Sequence, residues 1–191
     1  MARVIIGSIA AALAMFVLGF LFYATPLAKL GMAGLDDSQA ANVQQALAAN
    51  LPRTGTYSVP GMDSPAQTNM YSQGPIATVH YNANGFAAMD STSLAGGLVF
   101  NFVIALILGA ALVGVDRRVP DFPSRAKMVV LFAAAIAGYI HLGEPIYWHH
   151  DWGHFIYLFI ADLTILSAGG LIIARWFLAR PIASREAPPE A

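Results

Sequence analysis

The sequence predicts a membrane all-α fold: a four-transmembrane-helix bundle with a small α+β external insertion between helices 1 and 2. Three observations predict it. First, 57% of the 191 residues are hydrophobic and only 11% are charged, whereas a soluble domain carries about 25% charged residues. So few charges cannot cover a water-facing surface, and the mean hydropathy is +0.59. Second, the apolar residues are gathered into four long runs, and about 20 residues suffice to cross the hydrocarbon core as a helix. Third, the basic residues sort to one side of those runs, as the positive-inside rule requires.

The first run, 4–24, is VIIGSIAAALAMFVLGFLFYA and holds no charge. A cleaved signal peptide is the rival reading. Its apolar region is typically about 7–15 residues, ahead of a small-residue cleavage site. This run is longer, its leading segment has a single Arg, and YATPLAKL offers no clear site, so a retained helix is expected. The second run is 94–115. The third, 128–143, is short, and Lys127 can extend it by snorkelling. The fourth, 155–174, contains one acid, Asp162.

Arg117, Arg118, Arg125 and Lys127 lie in a basic loop at 116–127. Arg175, Arg180 and Arg185 lie in the tail 175–191, and Arg3 precedes the first run. The segment 25–93 has only Lys29 and Arg53, and the turn 144–154 has no Lys or Arg. Both termini and the basic loop are therefore expected in the cytoplasm of a bacterial cell, with the chain in the inner (plasma) membrane. The insertion 25–93 and the turn 144–154 are then external, on the periplasmic side. The tail ends in REAPPEA, a composition expected to be disordered.

Within the insertion, DDSQAANVQQALAANLP reads as a helix. Asp36, Asp37 or Ser38 can cap it, Val43, Leu47 and Leu51 share one face, and Pro52 ends it. TGTYSVP and PIATVHYN read as short strands around a helix that begins at Ser64-Pro65 and stops at Gly74. Such a segment has little core of its own. His80 reads as a half-exposed strand residue. No nucleophile motif, phosphate loop or spaced carboxylate pair occurs here. In the spans, Gly7 and Ala11, Ala10 and Ala14, Gly97, Ala105, Gly109 and Ala110, AAAIAG and SAGG are small residues of the kind that let helices approach closely.

Candidate chemistry concentrates in HLGEPIYWHHDWGHF, residues 141–155, which contain four of the five histidines. His141, Glu144, His149, His150, Asp151 and His154 are the metal candidates. Imidazole and carboxylate together suit zinc, iron, copper or manganese, so a divalent metal is a candidate cofactor, although the pattern leaves the cofactor unknown and reads first as an interfacial turn. The order is not that of a zinc-protease motif. Paired histidines deep in two spans, which would hold haem, are missing. Without cysteine there is no disulfide, thiolate site or c-type haem attachment. The bland alternative is a hydrogen-bonded turn whose Trp and Tyr residues sit at the membrane interface. Deeper in, Asn101 and Asp162 form the expected intramembrane polar pair, because an acid in hydrocarbon needs a partner. Tyr139 and His141 are expected to wall the same region.

The layout resembles that of small bacterial inner-membrane proteins with four spans and one external loop. It is a likeness of arrangement with no motif behind it, and no activity or site residue follows from it. With no catalytic constellation, the expected function is that of a non-enzymatic accessory or scaffold protein. Its partners would be the lipid bilayer and a membrane-protein partner or further copies of itself. A net charge of -1 gives no drive toward nucleic acid. The alternatives are a metal- or proton-handling protein using the His turn, and a membrane redox or quinone-site subunit.

Overall fold

A computed structural model describes residues 2–178. The rest of the expected tail, with Arg180, Arg185 and the REAPPEA end, lies outside the described residues. The chain is 73% helical with one two-stranded sheet, and it divides into two compact units. One comprises the residues up to Ala33 and from Ser91 onward; the other is Gly34–Asp90.

The first unit contains α1 (Ala2–Ala24), α4 (Ser91–Val115), α5 (Phe122–His141), α6 (Gly143–Trp148) and α7 (Trp152–Ile172). Four stretches within it are long and apolar enough to cross a membrane: Arg3–Ala24, Ser91–Val115, Phe122–Trp148 and Trp152–Phe177. Packing follows the order α4–α1–α7–α5, with no substantial contact between α4 and α5. The two inner stretches are 28% buried and the two outer ones 17%, so α1 and α7 form the centre. Ala11, Ala12 and Met15 of α1 meet Ala105 and Leu112 of α4, Val129 of α5 and Ile165 of α7.

Small residues make this packing close. A Cβ on Gly170 would lie 2.6 Å from Val129, one on Gly109 2.9 Å from Val4, and one on Gly7 2.6 Å from Phe177. Ser8 donates from Oγ to the Ala105 carbonyl at 3.2 Å, which ties α1 to α4. Gly19 has nothing within 4 Å of an added Cβ, and Ala110 is exposed. The small residues of the spans thus divide into those at contacts and those facing outward.

Three expected boundaries move. The basic loop is shorter, because α5 begins at Phe122. Asp121 caps it, accepting from the Ser124 amide at 2.8 Å, and Pro123 fits its first turn. Arg125 and Lys127 are therefore helical. Arg125 is only 4% exposed. It ion-pairs with Asp116 and donates from Nε to the Val119 carbonyl at 2.7 Å, so its charge is compensated within the chain. Next, the third span does not stop at Gly143. After a junction at Leu142, α6 continues to Trp148. Pro145 occupies the third position of α6, where the amide has no intrahelical partner to lose. The break falls instead at His149, in the left-handed conformation (φ 55°, ψ 31°). Last, helical backbone extends past Ala174 through a π-helical turn, Ile173–Phe177.

The second unit holds α2 (Asp37–Asn50), β1 (Gly55–Val59), α3 (Pro65–Gln73) and β2 (Ala77–Tyr81). β1 and β2 pair antiparallel, with Tyr57 opposite Val79. Asp36 caps α2 in a capping box with Gln39. The Gln39 amide, 2.8 Å from the Asp36 carboxylate, lowers that acid below its ordinary value of 3.8. Ser64 caps α3. No residue of Gly34–Asp90 is buried, in keeping with the small core expected.

Candidate functional site at one helix end

A second group of polar residues in the first unit, apart from Arg125 and its partners, gathers where α1 and α5 end. α7 begins beyond that point, so its first three turns run alongside those ends. Asp162 sits ten residues after Trp152, about 15 Å along the helix at 1.5 Å per residue. One carboxylate oxygen accepts from the Tyr23 hydroxyl at 2.7 Å. The other lies 2.7 Å from His141 Nε2. The imidazole side chain is 11% exposed and the carboxylate side chain 35%. One carboxylate therefore ties α1, α5 and α7 together.

A second set of contacts fastens the chain as it leaves α1. Thr25 caps a short 3-10 turn, Pro26–Gly31, accepting from the Leu27 amide at 3.2 Å. The Tyr157 hydroxyl donates to the Phe22 carbonyl at 2.6 Å. His154 Nδ1 lies 2.6 Å from the Gly31 carbonyl oxygen, which requires the proton on that nitrogen. Gly31 is buried against Tyr157; a Cβ there would lie 2.7 Å from the ring. His154, Tyr157 and Asp162 are spread over about 140° of α7 at 100° per residue, and together they hold residues 22–31.

The remaining turn residues go elsewhere. His150 Nδ1 lies 3.2 Å from Glu144 Oε2, and its ring stacks on Phe155 at 5.6 Å. Asp151 caps α7, accepting from the amides of Gly153 at 3.3 Å and His154 at 2.9 Å. His149 makes no hydrogen bond or ion pair among the described residues and serves as the left-handed link between α6 and α7. Trp148, Trp152 and Tyr147 are exposed.

The six metal candidates are thus not drawn to one point: His150 pairs with Glu144, while His141, His154 and Asp151 have other partners, and His149 makes no bond among the described residues. Among the described residues no group of three His, Cys, Asp or Glu side chains is placed to hold a metal ion. The expected i, i+4 pair, His150 and His154, does not form a helical face because α7 starts at Trp152. The expected Asn101–Asp162 pair is corrected as well. Asn101 donates from Nδ2 to the Gly97 carbonyl of its own helix at 2.8 Å. Asp162 bonds instead to Tyr23 of α1 and His141 of α5. Tyr139 forms no wall; it is 89% exposed.

Tyr23 is the residue that sequence reasoning missed. Its signal was weak: one tyrosine in the last turn of a span, 139 positions from its partner. Comparison with protein-family models, with curated proteins and with solved structures finds no match.

Proposed function

We propose that this chain is an integral inner-membrane protein acting as a non-enzymatic accessory or scaffold subunit. Both termini and the basic 116–121 connection lie in the cytoplasm, and the insertion lies outside. The hydropathy of the four long helices and the exposed Arg117, Arg118, Lys127 and Arg175 support this placement. Burial of Arg125 weakens its vote but leaves the asymmetry. The observation that carries the scaffold reading is the division of labour at the helix end. His141, His154, Asp162, Tyr23 and Tyr157 are each engaged in joining helix to helix or helix to the Pro26–Gly31 turn. Side chains used as fasteners are not held ready for a substrate.

The test has two parts. The chain should remain with the membrane after an alkaline wash, and purification in mild detergent should retain a stable protein partner. A monodisperse protein that never keeps one would overturn the scaffold reading.

One observation favours a second reading, proton handling. The phenol of Tyr23, the carboxylate of Asp162 and the imidazole of His141 form a continuous hydrogen-bonded acid–base chain. Proton flux into vesicles that is lost in Asp162→Asn would favour it over the scaffold.

A further inference from the structure

The first unit is charged unevenly along its helices. Contacts gather the start of α1, the end of α4, the start of α5 and the end of α7 at one end of it. A Cβ on Gly109 would lie 2.9 Å from Val4, and one on Gly7 2.6 Å from Phe177. The Arg175 guanidinium carbon lies 5.2 Å over the Phe122 ring. Arg3, Arg117, Arg118, Lys127 and Arg175 are exposed near this end. The chain leaves the unit after Ala33 and re-enters it at Ser91, both at the other helix end.

The acids near these cations are already committed. Asp116 ion-pairs with the buried Arg125, and Asp121 accepts from the Ser124 amide as the cap of α5. The exposed cations form no ion pair among the described residues, so this end carries uncancelled positive charge. Several of the cations are also held in place. Arg125 donates from Nε to the Val119 carbonyl at 2.7 Å, which pins the backbone that carries Arg117 and Arg118. Phe122 steadies Arg175 without neutralising it.

What fits here must present negative charge to guanidinium groups and apolar surface just beyond them. One turn inward from Arg3 stands Ile6, and one turn inward from Lys127 stands Val130; both are exposed. Trp176, 66% exposed, follows Arg175, and an indole suits the headgroup level. A phosphate accepts two N–H bonds from one guanidinium, and acyl chains continue over the isoleucine, the valine and the indole. A free anion or an acidic soluble segment supplies the charge without the chains.

We infer that this helix end is a binding surface for anionic phospholipid, with Arg117, Arg118 and Arg175 meeting the phosphates. The inference rests on the membrane placement proposed above. A Lys or Arg close to an anionic lipid surface strengthens binding about fivefold per residue.

Native mass spectrometry tests it on the full-length protein in detergent, with phosphatidylglycerol and phosphatidylcholine offered together. Phosphatidylglycerol should be retained at least tenfold over phosphatidylcholine. The combined variant Arg117→Gln, Arg118→Gln and Arg175→Gln should bring that preference close to unity. Lys29→Gln with Arg53→Gln, which removes cations elsewhere, should leave it unchanged. Should the triple variant fail to fold, Arg118→Gln alone should lower the preference at least threefold. Because binding is read on purified protein, the orientation of a variant in the membrane does not enter.

Equal retention of the two lipids, or a preference that survives the arginine variants, would overturn the inference. So would inorganic phosphate that raises the melting temperature as far as phosphatidylglycerol does, or an acidic protein held through these arginines in place of lipid. Recovery of the chain in the soluble fraction after an alkaline wash would instead overturn the membrane placement. The lipid preference of the purified protein would still decide the surface.

Discussion

At the residue scale, the decisive group is the Asp162 carboxylate. A lone acid within an apolar helix costs a few kcal/mol. Here both oxygens are occupied, by Tyr23 and His141. Asp162→Ala should destabilise by about 1–3 kcal/mol, because it strands a largely buried imidazole. Tyr23→Phe removes one donor from a half-exposed site and should cost about 0.5–1.5 kcal/mol. Thermal melting in detergent checks both, at roughly 2–4 °C per kcal/mol for a chain of this size. In the Asp162→Ala background, Tyr23→Phe should have almost no further effect, since the two share one bond. Additive losses would mean that the residues act separately. Asp162 was legible in the sequence as a residue in need of a partner. The partner was not, because similar depth along the spans favoured Asn101, while the rotation of α7 about its axis favours Tyr23 and His141.

At the element scale, close approach of helices rests on particular glycines. Gly170→Ala would drive a methyl toward Val129 Cγ1, 2.6 Å from the new Cβ, and should cost about 1–3 kcal/mol by overpacking. Gly19→Ala meets nothing within 4 Å and should cost nothing; the same melting experiment distinguishes them. Gly170 lies in SAGG and Gly19 among large apolar residues, and the sequence does not say which of them faces a neighbour. That depends on how each helix is turned in the packed unit.

Helix starts in the insertion were legible, because caps are local: Asp36 and Ser64 begin α2 and α3 as expected. The start of α5 was not, since Asp121, Pro123 and Ser124 begin it six residues before the hydropathy run, inside the segment read as a basic loop. The Ser124 amide and hydroxyl hold the Asp121 carboxyl below its ordinary value of 3.8. A lowered acid stabilises the fold above that value and loses its contribution as pH falls through the folded one. Acid titration followed by circular dichroism should therefore show part of the first turn of α5 fraying below pH 3.8. That step should be absent in Asp121→Asn, whose amide still accepts a hydrogen bond but does not titrate.

At the scale of the whole molecule, the histidine turn distinguishes architecture from chemistry. Elemental analysis of the detergent-purified protein should find no stoichiometric metal. The combined variant His149→Ala, His150→Ala and His154→Ala should fold but melt lower, chiefly through loss of the His154 bond to the Gly31 carbonyl and the His150 contact with Glu144. Bound metal that disappears in the variant would make the turn a metal site and replace the scaffold reading with an ion-handling one.

The sequence by itself determined the number of long apolar helices, the insertion between the first two and the identity of its small elements. Hydrophobic run length, capping residues and turn residues act over a few positions, so they can be read along the chain. Only the tertiary structure decided that α1 and α7 form the centre and α4 and α5 the flanks. It also sent His141, His150 and His154 of one short stretch to separate partners, and it left α2 uncovered within its own unit. Those outcomes depend on which face each helix turns to its neighbours, and a side chain's partner is set by distances in space that spacing along the chain does not record.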